Sequence, residues 1–164
     1  MLNEIQPKTT IPGIKYEWTV PARLLASDFL RDNLNLTGTH VGCEHGICGS
    51  CTIKIDGLTA RSCLKFAVQL DGKKVETIES FKERPETINI LEKFKAHHSL
   101  QCGFCTPGFL MIIDELLKSK IKFSENEIRE ALSGNLCRCT GYENIIKAAK
   151  EILAQKVIKW SFSF

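Results

Sequence analysis

Apolar and polar positions change their period part-way along the chain. Up to about residue 80 the pattern is short and strand-like. Ile14 to Val20 alternates loosely and stops at Pro21. Thr52 to Ile55 runs into Asp56-Gly57 and returns through Leu58 to Ser62, which predicts a hairpin. Lys73 to Ile78 is a further short run after the Asp71-Gly72 turn. One helical stretch interrupts this region: over Leu24 to Leu34, Leu25, Phe29 and Leu30 share a face and Leu34 adds a turn. Met1 to Thr10 is polar and is expected to be loose.

From Pro85 the spacing is helical. A first helix carries Ile88, Leu91 and Phe94. Thr106-Pro107 reads as an N-cap followed by proline in the first helical position. The helix beyond it places Phe109, Ile112, Ile113, Leu116 and Leu117 on one face. Ser124-x-x-Glu127 and Thr140-x-x-Glu143 are both capping-box patterns. The last run stripes Ile145, Ala148, Ala149, Ile152 and Leu153. The change of period near Phe81 to Arg84 predicts an α+β chain with a β-rich unit over 1–82 and a helical unit over 83–164. The aromatic tail Trp160 to Phe164 is expected either to be disordered or to pack on a partner.

Composition adds little to this and excludes a few functions. The 164 residues are 43% hydrophobic and 25% charged, with a net charge of +3, ordinary for a globular protein. The charge is too mild, and its Lys and Arg too scattered, for a nucleic-acid surface. Neither an apolar run of about twenty residues nor a signal-like segment is present, so the expected compartment is the cytoplasm and no membrane span is expected. Thiols stay reduced there, which favours metal ligation over disulfides.

Against that background the eight cysteines carry the chemistry. Cys43, Cys48, Cys51 and Cys63 have the C-x4-C-x2-C…C spacing of plant-type ferredoxins, whose four thiolates hold a [2Fe–2S] cluster. Gly42, Gly46, Gly49 and Ser50 keep the loop small, so that backbone N–H groups can approach the sulfurs. Zinc is the alternative, and a poor match to this spacing. Rieske-type ligation through Cys43-Glu44-His45 needs a second cysteine–histidine pair, where Cys48 and Cys51 stand instead, so His45 is read as a loop residue beside the cluster. Cys102 and Cys105, with Cys137 and Cys139, form a second set, each pair placed just before a helix start where N–H donors and the dipole favour thiolates. Taken alone, this second set leaves zinc open. His97 and His98 read as exposed helix-end residues, Phe104 and Tyr142 as packing. Arg138 reads as a counter-charge to the thiolates or a contact to cofactor or partner.

Four segments together extend this. They are Gly38-Thr-His-Val-Gly-Cys-Glu-His-Gly-Ile-Cys-Gly-Ser-Cys51, Arg61-Ser-Cys63, Gln101-Cys-Gly-Phe-Cys-Thr-Pro-Gly108 and Gly134-Asn-Leu-Cys-Arg-Cys-Thr-Gly-Tyr142. In this order the chain resembles the iron–sulfur subunit of the molybdenum hydroxylases, the family of xanthine dehydrogenase, aldehyde oxidoreductases and aerobic carbon monoxide dehydrogenase. His45 and Ser50 stand where many members have glycine and alanine. The resemblance implies a β-grasp, ferredoxin-like domain followed by a four-helix bundle, each with a [2Fe–2S] cluster. It implies a large partner subunit with a molybdopterin (Mo) centre, a medium partner subunit with FAD, and a dimer of such heterotrimers. It also implies that Gln101 lies beside the pterin, that Cys139 is the ligand nearest to it, and that the cluster of Cys43, Cys48, Cys51 and Cys63 faces the flavin. The holoenzyme is expected to oxidise an aldehyde, with a purine or other N-heterocycle and carbon monoxide as alternatives. A free-standing two-cluster electron carrier is the other expectation to separate from these.

Overall fold

The computed structural model describes residues 4–6, 8–11, 14–119 and 121–160; the tail beyond Trp160, and the Trp160 side chain, lie outside the described residues. Among the described residues seven short strands come first, with helical turns among them. The strands are β1 (Glu4–Ile5), β2 (Lys8–Ile11), β3 (Ile14–Glu17), β4 (Val20–Pro21), β5 (Thr52–Ile55), β6 (Leu58–Arg61) and β7 (Val75–Glu76). The predicted hairpin is present: β5 and β6 pair antiparallel around Asp56-Gly57, and β7 pairs with the other edge of β5. The predicted helix between them is α1 (Ala26–Asp28), which widens into a π-helical turn over Phe29–Asn33.

The N-terminal segment departs from expectation. Residues 4–5 and 8–11 are paired strands, not loose chain: β1 pairs with β4, and β2 with β3. The single run expected over Ile14 to Val20 therefore divides between two partners. Its order comes from distant chain. Thr10 N–H donates to the Lys73 carbonyl at 3.2 Å and Gly72 N–H to that of Lys8 at 2.7 Å, while Thr9 and Ile11 turn inward and are buried.

Four α-helices follow among the described residues: α2 (Pro85–Ala96), α3 (Thr106–Lys118), α4 (Glu125–Leu132) and α5 (Glu143–Trp160). The Ser124 capping box forms in full, with Glu127 N–H on Ser124 Oγ at 3.3 Å and Ser124 N–H on Glu127 Oε2 at 2.7 Å. The predicted α5 stripe is buried along its length. In α2 the buried face is Thr87, Ile90 and Phe94, and Ile88 is turned to solvent, because the helix is rotated by its packing on α5. α3 is buried on nearly all sides from Gly108 to Asp114, not on the one face expected.

Two hydrophobic cores result. One gathers Ile11, Phe29, Leu30, Ile53 and Leu70; the other gathers Phe81, Phe94, Phe109, Ile113, Ile145 and Ile152, and includes Cys105 and Cys137. β5 stands between them. Ile53 enters the first core, while Thr52 and Lys54 point the other way and are equally buried, toward α3.

Candidate metal centres

The first thiol set sits in the loop between the π-helical turn and β5. Gly46 and Gly49 take φ of +86° and +76°, which turn the chain tightly enough to bring Cys43, Cys48 and Cys51 to one side. Cys63 arrives on a single helical turn after β6. The Ser62 hydroxyl and N–H both donate to the Cys51 carbonyl, at 2.8 and 3.2 Å, and clasp Cys63 against Cys51. The Cys48 N–H donates to Cys43 Sγ at 3.4 Å. His45 turns its Nδ1 onto the Cys43 carbonyl in its own loop.

The second set draws on two loops. Cys105 is itself the N-cap of α3, so the cap lies one residue before the expected Thr106; the Thr106 hydroxyl makes no hydrogen bond and Pro107 falls in the first turn. Thr140 is likewise not the cap of α5. Positive φ at Gly141 (+68°) and Tyr142 (+69°) separates it from that helix. Its hydroxyl and N–H donate instead to Cys137 Sγ, at 3.1 and 3.4 Å. The Cys137 N–H donates to the Tyr142 hydroxyl at 2.9 Å, and the Tyr142 ring meets Phe109 edge-on at 6.4 Å. Tyr142 thus packs, as expected, and also orients the thiol loop.

The eight sulfurs fall into four close pairs: Cys43 with Cys48, Cys51 with Cys63, Cys105 with Cys137, and Cys102 with Cys139, the last at 3.5 Å. Among the described residues no three His, Cys, Asp or Glu side chains gather as they would around one ion.

The thiols differ in acidity. Hydrogen bonding, first from the Cys48 N–H, brings Cys43 down to about 6. Burial pushes Cys63 up to about 11 and Cys105 up to about 12. Burial also works to raise Cys137, but the Thr140 hydroxyl and N–H outweigh it and hold this thiol below its usual range. The Cys102 side chain raises Cys139.

Both sets border one cavity of about 370 Å³, lined among others by Gly42, Cys48, Cys102, Phe104, Cys137, Arg138 and Cys139. Phe104 is not the core residue expected. It is 46% exposed and stacks on the His40 ring at 4.8 Å, and His40 Nδ1 meets the Phe104 carbonyl oxygen at 2.7 Å. This contact ties the two cysteine loops together. The Leu136 N–H, donating to the Cys48 carbonyl at 2.9 Å, ties them again. Sequence reasoning passed over His40 and read Thr140 as a helix cap rather than a donor to a thiol. The only local signal for Thr140 is its hydroxyl three places after a cysteine; nothing in the sequence singles out His40. Gln101 and Arg138 are exposed beside Cys102 and Cys139, and His97 pairs with Glu151 at 2.5 Å.

The comparisons with known proteins decide between iron–sulfur and zinc. Residues 39–100 match the model for a 2Fe-2S iron-sulfur cluster binding domain, and residues 77–150 that for a [2Fe-2S] binding domain. The caffeine dehydrogenase subunit gamma of Pseudomonas sp. (strain CBB1) is 52% identical over 146 residues, 87% of each chain. The chain belongs to the iron–sulfur subunits of the molybdenum hydroxylases. Among solved structures, this subunit is similar to a chain of quinoline 2-oxidoreductase from Pseudomonas putida 86, with a TM-score of 0.88, 43% identity and 95% and 97% of the two chains covered. It is also similar to the aldehyde oxidoreductase of Desulfovibrio gigas, with a TM-score of 0.85 and 36% identity, covering 96% of this subunit but 17% of that longer chain. It is an electron-transfer component of an oxidoreductase complex. Among the described residues no helix is long and apolar enough to cross a membrane.

The closeness of the two loops in this subunit has a measurable cost. A Cβ on Gly49 would collide with the Asn135 side chain and stand 2.6 Å from the Gly134 carbonyl. Gly49→Ala is therefore expected to destabilise by at least the ~1–3 kcal/mol of a strained positive φ. A thermal melt of the iron-loaded subunit should show a lower midpoint.

Proposed function

We propose that this subunit relays electrons from a molybdopterin centre in a large partner subunit, through two [2Fe–2S] clusters, to FAD in a medium partner subunit. Cys43, Cys48, Cys51 and Cys63 would hold one cluster; Cys102, Cys105, Cys137 and Cys139 the other. A bound cluster supplies one-electron storage, so two of them take the electron pair of one substrate oxidation in single steps. The chain's own residues hold the thiols in place: the Ser62 clasp on Cys51, the Thr140 donors on Cys137 and the Tyr142 hydroxyl on the Cys137 N–H. The proposed partition is a β-grasp domain over 1–82 and a four-helix bundle over 83–164, with one cluster in each.

The observation that carries this reading is the surface around the second thiol set. Cys102 and Cys139 are exposed, with Gln101 and Arg138 beside them and Leu100, Phe104 and Leu136 each 42–50% exposed. Large apolar side chains ringing two exposed thiols form a surface suited to a protein partner rather than to water. Gln101 and Cys139 are assigned to the pterin side, and the first set to the flavin side, as the family resemblance implies; the exposed apolar ring is compatible with a partner at the second set. The complete enzyme would be a cytoplasmic dimer of heterotrimers.

For the substrate, an N-heterocycle is favoured over the aldehyde that the resemblance alone suggested. The relative at 52% identity is named for caffeine and the structure at 43% for quinoline, both N-heterocycles. The aldehyde is kept as the second reading on the 36% match to an aldehyde oxidoreductase.

The test is metal analysis and co-purification. Isolated without oxygen, the subunit is expected to be brown-red and to hold about four iron and four acid-labile sulfide per chain. When tagged, it is expected to bring down a large and a medium subunit. A colourless protein with stoichiometric zinc would overturn the cluster assignment. An iron-loaded chain that recovers no partner would point to a free-standing carrier.

A further inference from the structure

The most heavily buried charges lie away from the thiols, where the two cores meet. The Lys54 and Asp114 side chains are both 0% exposed, and Lys54 Nζ donates to Asp114 Oδ2. Among the described residues, the charged groups facing the pair form one network. Asp114 Oδ2 also receives Arg84 at 3.2 Å and Lys118 at 3.3 Å. Glu76 lies 3.8 Å from Lys54, 3.7 Å from Arg84, 3.5 Å from Lys118 and 3.3 Å from Lys74. Asp114 Oδ1 has no hydrogen-bond partner among the described residues, so a single oxygen is the hub.

We propose that the Lys54–Asp114 pair is a positioning device that fixes the register, and so the spacing, of the two cluster-bearing halves. The proposal rests on the two-cluster reading above. Lys54 is on β5, three residues beyond the thiol Cys51. Asp114 is on α3, the helix capped by the thiol Cys105. Each partner is thus mounted on a regular element that leads directly to one thiol set. The halves also meet at the cysteine end, where Gly49 packs on Asn135 and the Leu136 N–H donates to the Cys48 carbonyl. Asp114 is nine positions beyond Cys105, about 13 Å of helical rise. At the α3 end the pair is joined by the Thr59 N–H, which donates to Glu115 Oε2 at 2.8 Å, and contacts at both ends of this span fix an orientation rather than a hinge.

The chemistry of the second contact suits that task. Apolar surfaces tolerate small slips, because a methyl group that slides off one neighbour meets another. A buried ion pair does not, because a slip leaves desolvated charges without partners. Replacing such a pair with apolar groups of similar size often preserves stability, so the pair's contribution is to geometry. Electron passage between two centres falls steeply with their separation, and a fixed register keeps that separation at one value.

The test is pulsed dipolar EPR on the anaerobically reduced full chain, which reads the distance distribution between the two paramagnetic clusters. Wild type is expected to show two cluster signals and one narrow distance. Asp114→Asn is expected to retain full iron and unchanged g-values for each cluster, with the distribution broadened about twofold or more as the negative charge shared by three cations is lost. The double variant Lys54→Met/Asp114→Leu removes the pair without stranding a charge. It is expected to fold, load iron and still show the broad distribution. A distribution as narrow as wild type in the double variant overturns the proposal while leaving the relay intact, and it decides the matter if Asp114→Asn fails to fold. Fewer than two cluster signals in wild type would instead bring down the two-cluster reading, and this proposal with it.

Discussion

Replacing Cys48 with serine is expected to halve the iron, from about four to about two per chain, and to leave the helical half folded. Cys48 pairs with Cys43 at one end of the first thiol set, and its N–H also supports Cys43 Sγ. Loss of one thiolate leaves one iron of that core under-ligated, and the small first core gains much of its folding energy from metal. The second set shares no sulfur with the first, and its helices have their own apolar core of Phe81, Phe94, Phe109 and Ile145. Asp114 keeps Arg84 and Lys118 even if β5 moves away. Iron analysis with far-ultraviolet circular dichroism checks this: helical signal retained, half the iron gone. Equal loss of both clusters would show that the units over 1–82 and 83–164 do not hold metal independently.

The second large effect is expected in the assembled enzyme. Cys139→Ala, which removes a thiol from the exposed edge of the second set, should, on the proposed relay, slow reduction of the clusters by substrate by orders of magnitude. Gln101→Ala should slow it less, since Gln101 is exposed beside Cys102 and holds no iron. Dithionite should still reduce the first cluster in both, because Cys43, Cys48, Cys51 and Cys63 are untouched. Rapid-mixing absorbance of the reconstituted complex separates the two routes. Wild-type rates with substrate in both variants would remove the relay order and leave only the presence of the clusters.

Much of this was legible from residues alone, wherever the signal was local. Asp56-Gly57 between two alternating runs announced the β5–β6 hairpin, the Ser124–Glu127 reciprocity announced the start of α4, and the cysteine spacing announced the chemistry. The failures share a cause: a tertiary partner displaced a local one. Thr140-x-x-Glu143 has the pattern of a capping box, but a hydroxyl three residues after Cys137 finds the sulfur first. The polar N-terminal segment has no amphipathic strength of its own and is ordered by chain more than sixty residues away. Nothing local marks Lys54, in a short strand, as a residue to be buried. Only the arrival of α3 on that face makes it interior. Phe104 reads as core, yet it lies at the surface because its partner, His40, is on the other cysteine loop.

The separation of Lys54 from its carboxylate along the chain bears on how the protein is made. Asp114 follows Lys54 by 60 residues, so on the ribosome the amine emerges long before its partner. Until then Glu76, at 3.8 Å in the finished fold, is the one carboxylate of the network already synthesised near it. The β-rich half therefore cannot bury the outer face of β5 when it first emerges, and its completion waits for α3. A polypeptide cut between the halves would carry a lysine on a face shaped for burial. It would also expose, on the other piece, an aspartate set into a helix that is otherwise apolar nearly all round. Continuity of the chain through Phe81 to Arg84 thus keeps the lysine and its aspartate in one molecule, whatever the order in which they are made.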